Sequence, residues 1–263
     1  MIGLITGSGS YSWPGIDSAR AESFRTRYGA VELTTGRIGD VDVVHLPRHG
    51  SGHRFLSSQL DHRANLTALM DKGVDAVLSF TVCGALDLSL PLGAIVVFDD
   101  MYFPSNRLPD GSPCTWHDVP GSAGRGHWIF DRPFSEPLRA ALAGASDSAG
   151  APVFIEGCYG HVDGPRFNSR TEISALAAAG VTAVSQTGGP EVVLAGEAGL
   201  PLALVGFVTD YANGIAKEPT LLGEIAARIE QSTAAFSALA GAALPAIQAA
   251  ALSRTGAFYR FGP

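Results

Sequence analysis

Residues 60–80 read LDHRANLTALMDKGVDAVLSF. A helical pattern over Leu60–Lys72 gives way within a few residues to an apolar run, Ala76–Phe80. That run has no polar alternation, so it predicts a strand buried on both faces. The same grammar recurs along the chain. Apolar runs at Gly3–Thr6, Asp42–Leu46, Ala94–Phe98, Val153–Ile155, Ala183–Gln186 and Leu202–Val208 predict further strands. Helical patterns fall near Pro137–Ala149, Thr171–Ala179, Pro190–Ala198 and Leu221–Ala251. Strands alternating with helices predict an α/β fold, its mixed or mostly parallel sheet covered on both sides. The segment Met101–His127 differs, being rich in Pro, Gly, Asp and Ser with little periodicity. A loop that long inside a compact unit is usually functional or interfacial. No linker, repeat or low-complexity tract appears, so residues 1–263 read as a single domain.

Bulk composition narrows the function. The chain has 263 residues, 46% hydrophobic and 16% charged, enough to bury a sizeable core. A net charge of −7 argues against general nucleic-acid binding, which needs a basic face. No apolar run is long enough to span a membrane, and MIGLITGSGS lacks the basic flank and long apolar core of a signal peptide. Cys83, Cys114 and Cys158 are widely spaced and match neither a disulfide framework nor a zinc motif. A cytoplasmic protein that is not membrane-bound is the expectation.

In an open α/β sheet, chemistry sits in the loops after the carboxyl ends of strands. TGSGS (Thr6–Ser10) offers backbone N–H groups and hydroxyls suited to an anion, though it lacks the third glycine of a dinucleotide fingerprint. LPRHGSGHR (Leu46–Arg54) supplies a guanidinium fork at Arg48 and a further donor at His49. FTVCGAL (Phe80–Leu86) ends a buried strand in a hydroxyl, Thr81. SQTGGPEVVLAGEAG (Ser185–Gly199) ends a strand, turns through Gly-Gly-Pro, and places Glu191 in the first turn of a helix, where an acid is favoured anyway. GHVDGPRFNSRTE (Gly160–Glu172) presents an aromatic ring and two arginines beside a predicted helix cap at Asn168 or Ser169.

In this order LPRHG, TVCGAL, DGPRFNSRTE, QTGGPEVVLAGEAG and VTDYANG resemble the trimeric purine nucleoside phosphorylases, most closely the methylthioadenosine phosphorylase branch. The resemblance runs from about Gly3 to Ile247. It implies one α/β domain with a central mixed, partly barrel-like sheet flanked by helices, assembled as a homotrimer. It also implies pentosyl transfer, in which a purine nucleoside and inorganic phosphate give free base and a pentose 1-phosphate, with no metal or organic cofactor.

By resemblance, Ser8, Arg48, His49, Thr81, the Val82 amide and Thr187 hold phosphate. Asp210 faces N7 and the 6-amino group of adenine and protonates the leaving base. An asparagine there typifies enzymes that prefer 6-oxopurines. Phe167 stacks on the purine; Asn168 is either a base-edge ligand or the helix cap. Arg166 and Arg170 are either site residues or ion-pair partners for nearby acids. His53 adjoins phosphate and sugar, His127 is lent by a neighbouring subunit near the 5′ group, and Leu222, Ile225 and Ala226 receive a methylthio group. Three departures from the family stand out. Gln186 replaces a methionine beneath the ribose, Gly188–Gly189 replaces a bulkier pair and predicts a looser floor, and Ala212–Asn213 stands where a second aspartate is common. They leave the nucleoside open. The phosphate set argues against a hydrolytic nucleosidase; a non-catalytic nucleoside sensor is the rival of a different class.

Overall fold

The computed structural model describes residues 1–261. In chain order the strands and helices are β1 (Ile2–Thr6), β2 (Asp17–Arg25), β3 (Ala30–Ile38), β4 (Val41–Pro47), α1 (His62–Asp71), β5 (Ala76–Ala85), β6 (Ile95–Val97), β7 (Asp100–Tyr102) and β8 (Gly126–Ile129). They continue with α2 (Glu136–Gly144), β9 (Val153–Phe154), β10 (Cys158–His161), α3 (Arg170–Ala178), β11 (Ala183–Ser185), α4 (Gly188–Ala198), β12 (Leu202–Tyr211), α5 (Leu222–Ala249) and β13 (Ala257–Arg260). All seven predicted strands are present, with shifted ends. None of the helices is long and apolar enough to cross a membrane.

Eleven strands form one mixed sheet with β5 at its centre. β12 runs parallel beside the whole of β5. On the other edge β5 changes neighbour along its length. Residues Ala76–Ser79 pair with β1, whereas Gly84 and Ala85 pair antiparallel with β11. Between them, Phe80–Cys83 has no strand on that side, and the sheet splays open there. The gap is what positions the site.

Both faces are covered. On one, Leu66 and Leu69 of α1 and Val192, Leu194 and Ala195 of α4 pack with Val77, Leu204 and Val208. On the other, Leu138 and Leu142 of α2 and Phe236, Leu239 and Leu244 of α5 pack with Leu4, Leu78, Phe80 and Val205. Adjacent residues of β12 feed opposite clusters, as a period of two requires. Burying one Leu- or Phe-sized side chain contributes roughly 1.5–3 kcal/mol, so the runs that announce the strands also stabilise both layers.

Several elements correct the sequence reading. β2 is exposed along nearly its whole length and carries no inward stripe; it is a strand because it pairs with β3. The helix expected over Pro137–Ala149 ends at Gly144, and Ser146–Ser148 forms a separate 3-10 turn. Met101–His127 is bracketed by β7 and β8, and β8 pairs with β13 in a small second sheet. The strand feeding GHVDGPRFNSRTE is β10, which no predicted strand covers.

Candidate functional site

A cavity of about 280 Å³ opens at the splayed edge of β5. Its walls come from Gly7 and Ser8 after β1, His49 and His53 after β4, Thr81–Gly84 of β5, and Ser185–Thr187 at the end of β11 and just beyond it. Pro165, Phe167 and Asn168 after β10, Asp210, Ala212 and Asn213 at the end of β12, and Ile225 and Ile229 of α5 complete it. Widely separated loops therefore converge because each follows a strand end at the same place in the sheet.

Strand geometry aims the Val82 amide. The Phe80 carbonyl points into the gap, where it accepts from Arg48 Nη1 at 2.9 Å. Peptide groups two residues apart along a strand point the same way. The Val82 N–H therefore faces the gap too. Beside it the Thr81 hydroxyl shares a 2.8 Å hydrogen bond with Ser185 Oγ.

Arg48 lies behind the cavity wall rather than on it. Its side chain is fully buried, with Nε 2.7 Å from Glu191 Oε1. Nη2 donates to Glu191 Oε2 at 3.2 Å and to Ser79 Oγ at 2.8 Å. Ser79 Oγ in turn donates to the same carboxylate at 2.6 Å. One Nη1 hydrogen remains, beside Gly7; a Cβ at that position would sit 2.8 Å from Nη1. The fork expected to face an anion is thus committed mainly to joining β4 to α4. Glu191, read as a helix-start acid, is its buried counter-ion.

His49 also differs from expectation. Its Nδ1 lies 2.8 Å from the Phe55 carbonyl. A carbonyl only accepts, so Nδ1 carries the proton. Burial, with Arg48 nearby, pushes the His49 pKa down to about 4, so the ring is neutral and Nε2 offers a lone pair rather than a donor. His53 stacks on it at 4.3 Å and is held by Tyr11 Oη at 2.9 Å. Its φ of 57°, with Gly50 and Gly52 also left-handed, lets the loop curl tightly enough to stack the two rings.

Thr187 precedes α4 but does not cap it. The first-turn amides of Gly188 and Gly189 instead donate to Tyr159 Oη at 2.9 Å and His161 Nδ1 at 3.3 Å. The third helical residue, Pro190, has no N–H to cap. Thr187 Oγ1 is left buried without a protein partner, and an unsatisfied hydroxyl beside a cavity favours a polar ligand. Burial pushes the His161 pKa down to about 3, keeping the ring neutral and able to accept. The Gly188–Gly189 pair, expected to loosen the floor of the site, is tightly packed and lies behind the cavity lining. A Cβ at Gly189 would meet His161 Cγ at 2.7 Å and Phe103 at 2.9 Å.

Asp210 is the single carboxyl group on the cavity wall among the described residues. It is buried, and burial raises its pKa, opposed by the hydrogen bond from Thr209 and the charge of Arg228. The Thr209 hydroxyl donates to Oδ1 at 2.7 Å. A Cβ at position 84 would lie 3.2 Å from Oδ2, so Gly84 gives the carboxyl its room. Thr209 went unnoticed in the sequence, although its place beside the aspartate was a usable signal.

The remaining candidates divide. Phe167 lines the cavity and is 67% exposed. Asn168 lines it as well, and the helix cap is Ser169, which forms a capping box with Glu172. Arg166 pairs with Glu172 at 2.7 Å, while Arg170 lays its stem against Gly214. Gln186 lines the cavity. Ile225 does so too, but Leu222 and Ala226 do not; Leu222 is almost fully exposed. His127 sits on β8, paired with Tyr259 of β13, away from this chain's cavity.

The comparisons agree with this architecture. The family model described as the phosphorylase superfamily matches residues 2–245. A 6-oxopurine nucleoside phosphorylase from Pyrococcus furiosus is 32% identical, over 94% of this chain and 92% of the relative. An S-methyl-5′-thioadenosine phosphorylase from Mycolicibacterium smegmatis is 36% identical with the same coverage. A methylthioadenosine phosphorylase from Schistosoma mansoni, solved in complex with adenine, superposes with a TM-score of 0.85 at 29% identity, over 95% of this chain and 92% of that one.

Proposed function

The chain belongs to the phosphorylase superfamily, as a pentosyltransferase of the purine nucleoside phosphorylase kind, and from that premise we propose that its substrate is a 6-aminopurine nucleoside. 5′-Methylthioadenosine or a related 5′-modified adenosine fits best, cleaved by phosphate to free base and pentose 1-phosphate. The observation that carries this reading is Asp210, the lone cavity carboxyl among the described residues, buried and with a raised pKa.

Phosphate enters between Ser8, Thr81, Thr187 and the Val82 amide. Its P–OH donates to His49 Nε2, leaving unprotonated oxygens for the reaction. Arg48 braces this loop from behind Gly7. One oxygen attacks the anomeric carbon in line as the bond to the base breaks. Positive charge develops on the sugar and is stabilised by the anion. Negative charge moves onto the base, and protonated Asp210 donates to N7 as the base leaves. In the ground state the carboxyl accepts from the 6-amino group. Phe167 offers its ring to the purine, Asn168 borders the base, His53 borders the sugar, and Ile225 and Ile229 receive an apolar 5′ group. No metal or organic cofactor takes part; phosphate is the co-substrate.

The working assembly is a homotrimer, with Met101–His127 at the interface and His127 near a neighbour's sugar site. Exposed Ile129, Phe130, Tyr259 and Phe261 around β8 and β13 support it.

Product analysis with 5′-methylthioadenosine, adenosine and inosine, with and without phosphate, tests the reading. Phosphate-dependent adenine release, strongest from the 5′-modified nucleoside, is expected. Preference for inosine would make it a 6-oxopurine enzyme. Release without phosphate would make it a nucleosidase, and binding without turnover a sensor.

A further inference from the structure

Phe167 stands on a loop, residues 162–169, that contains no regular secondary structure. Two side-chain amides grip that loop from the sheet. Gln186 Nε2 donates to the Arg166 carbonyl at 3.1 Å. Asn213 Nδ2 donates to the Asn168 carbonyl at 2.7 Å. The two carbonyls are those immediately before and after Phe167 in the sequence. Gln186 is itself anchored, because Ser57 Oγ donates to its Oε1 at 2.8 Å. A carbonyl only accepts, so both ends of the Gln186 amide have their orientation set. The loop is also shaped around that amide: a Cβ at Gly164 would overlap it.

We propose that Gln186 and Asn213 are positioning residues that clamp the Phe167 ring over the cavity, and that Gln186 serves this loop rather than the sugar hydroxyls. The proposal rests on the reading of the cavity as a purine nucleoside site. It gives a cause for one departure from the family, the glutamine in place of methionine. Gln186 extends from the end of β11 and Asn213 from the end of β12, the strand that carries Asp210. The clamp therefore references the stacking ring to the proton donor. An exposed ring on an unheld loop would have to be ordered each time a base stacked on it; a pre-ordered ring avoids that entropic loss.

The test uses isosteric variants. Gln186→Glu and Asn213→Asp keep size but cannot donate to a carbonyl; Gln186→Met and Asn213→Ala remove the amide. Each single variant should raise the nucleoside KM roughly two- to tenfold, the range of one net hydrogen bond, with the phosphate KM unchanged. The double variant should lose more. In a Phe167→Ala background the same substitutions should have little further effect. Tryptic cleavage after Arg166, read without substrate, should quicken several-fold in every clamp variant. Unchanged cleavage, or an equal KM effect with and without the Phe167 ring, overturns the clamp. Faster cleavage in the clamp variants of a protein whose wild type never releases base would keep the clamp and discard the nucleoside reading.

Discussion

Replacing Asp210 by asparagine separates chemistry from architecture. The substitution is isosteric, and the Thr209 hydroxyl, 2.7 Å from Oδ1, still has an oxygen to bond. That bond turns the new Nδ2 toward the Gly84 side, where Oδ2 now lies. The amide cannot give N7 a proton, so base departure loses its general acid. That loss is worth about 10²–10⁴ in rate, or about 3–5 kcal/mol of barrier at 1.36 kcal/mol per tenfold. Stability should move the other way. The raised pKa means that the folded state binds the Asp210 proton more tightly than the unfolded chain. That stabilisation is complete below the unfolded pKa and is lost as pH rises through the folded one, above which the carboxyl carries a charge that burial disfavours. Removing it should leave Tm unchanged or higher. The assay is kcat/KM for a matched adenosine and inosine pair, with calorimetry on the same samples. Adenosine turnover should collapse, and the inosine-to-adenosine ratio should rise because a donor now faces the 6-position. An unchanged ratio with both rates near wild type would refute Asp210 as the acid.

Arg48→Ala strands Glu191 in a fully buried site, so denaturant titration should show a loss of about 3–5 kcal/mol. Adding Glu191→Leu should restore part of it; additive losses would show that the pair is not coupled. Gly189→Ala drives a methyl into His161 and Phe103 and should cost about 1–3 kcal/mol of overpacking, seen as a drop in Tm of a few degrees; an unchanged Tm would contradict the tight packing. Burial lowers the pKa of His45 and His49 to about 4 and of His161 to about 3. Because the folded values lie below the unfolded 6.5, stability is complete above pH 6.5 and falls as pH drops toward 4. The slope should approach about 1.4 kcal/mol per pH unit per histidine. Urea midpoints that stay flat from pH 7 to 5 would place those rings in solvent.

Much of the fold was legible because its cause is local. Apolar runs such as Ala76–Phe80 and Leu202–Val208 have one stable use, a strand covered on both faces, and the helical patterns between them supply the covers. The order of motifs placed Ser8, His49, Thr81, Thr187, Phe167 and Asp210 at or after strand ends; all six meet at the cavity, Thr81 from within β5, which runs on to Ala85. β2 was illegible because it has no buried stripe and is held by pairing alone. Cys158–His161 was missed because four residues with a glycine among them make no apolar run; parallel neighbours on both sides hold it extended.

The amino-acid sequence by itself determined the layers, the family motifs and the residues available for chemistry. Tertiary structure decided what those residues are free to do. Arg48 reads as an open fork until Glu191, 143 residues away, consumes it. Thr187 stands at the start of α4, yet Tyr159 and His161 accept from the amides there and leave its hydroxyl unpaired. His49 reads as a donor until the Phe55 carbonyl claims its proton. In each case the cause is the same. A side chain's hydrogen-bonding capacity is finite, and partners distant in sequence spend it in ways that no local pattern records.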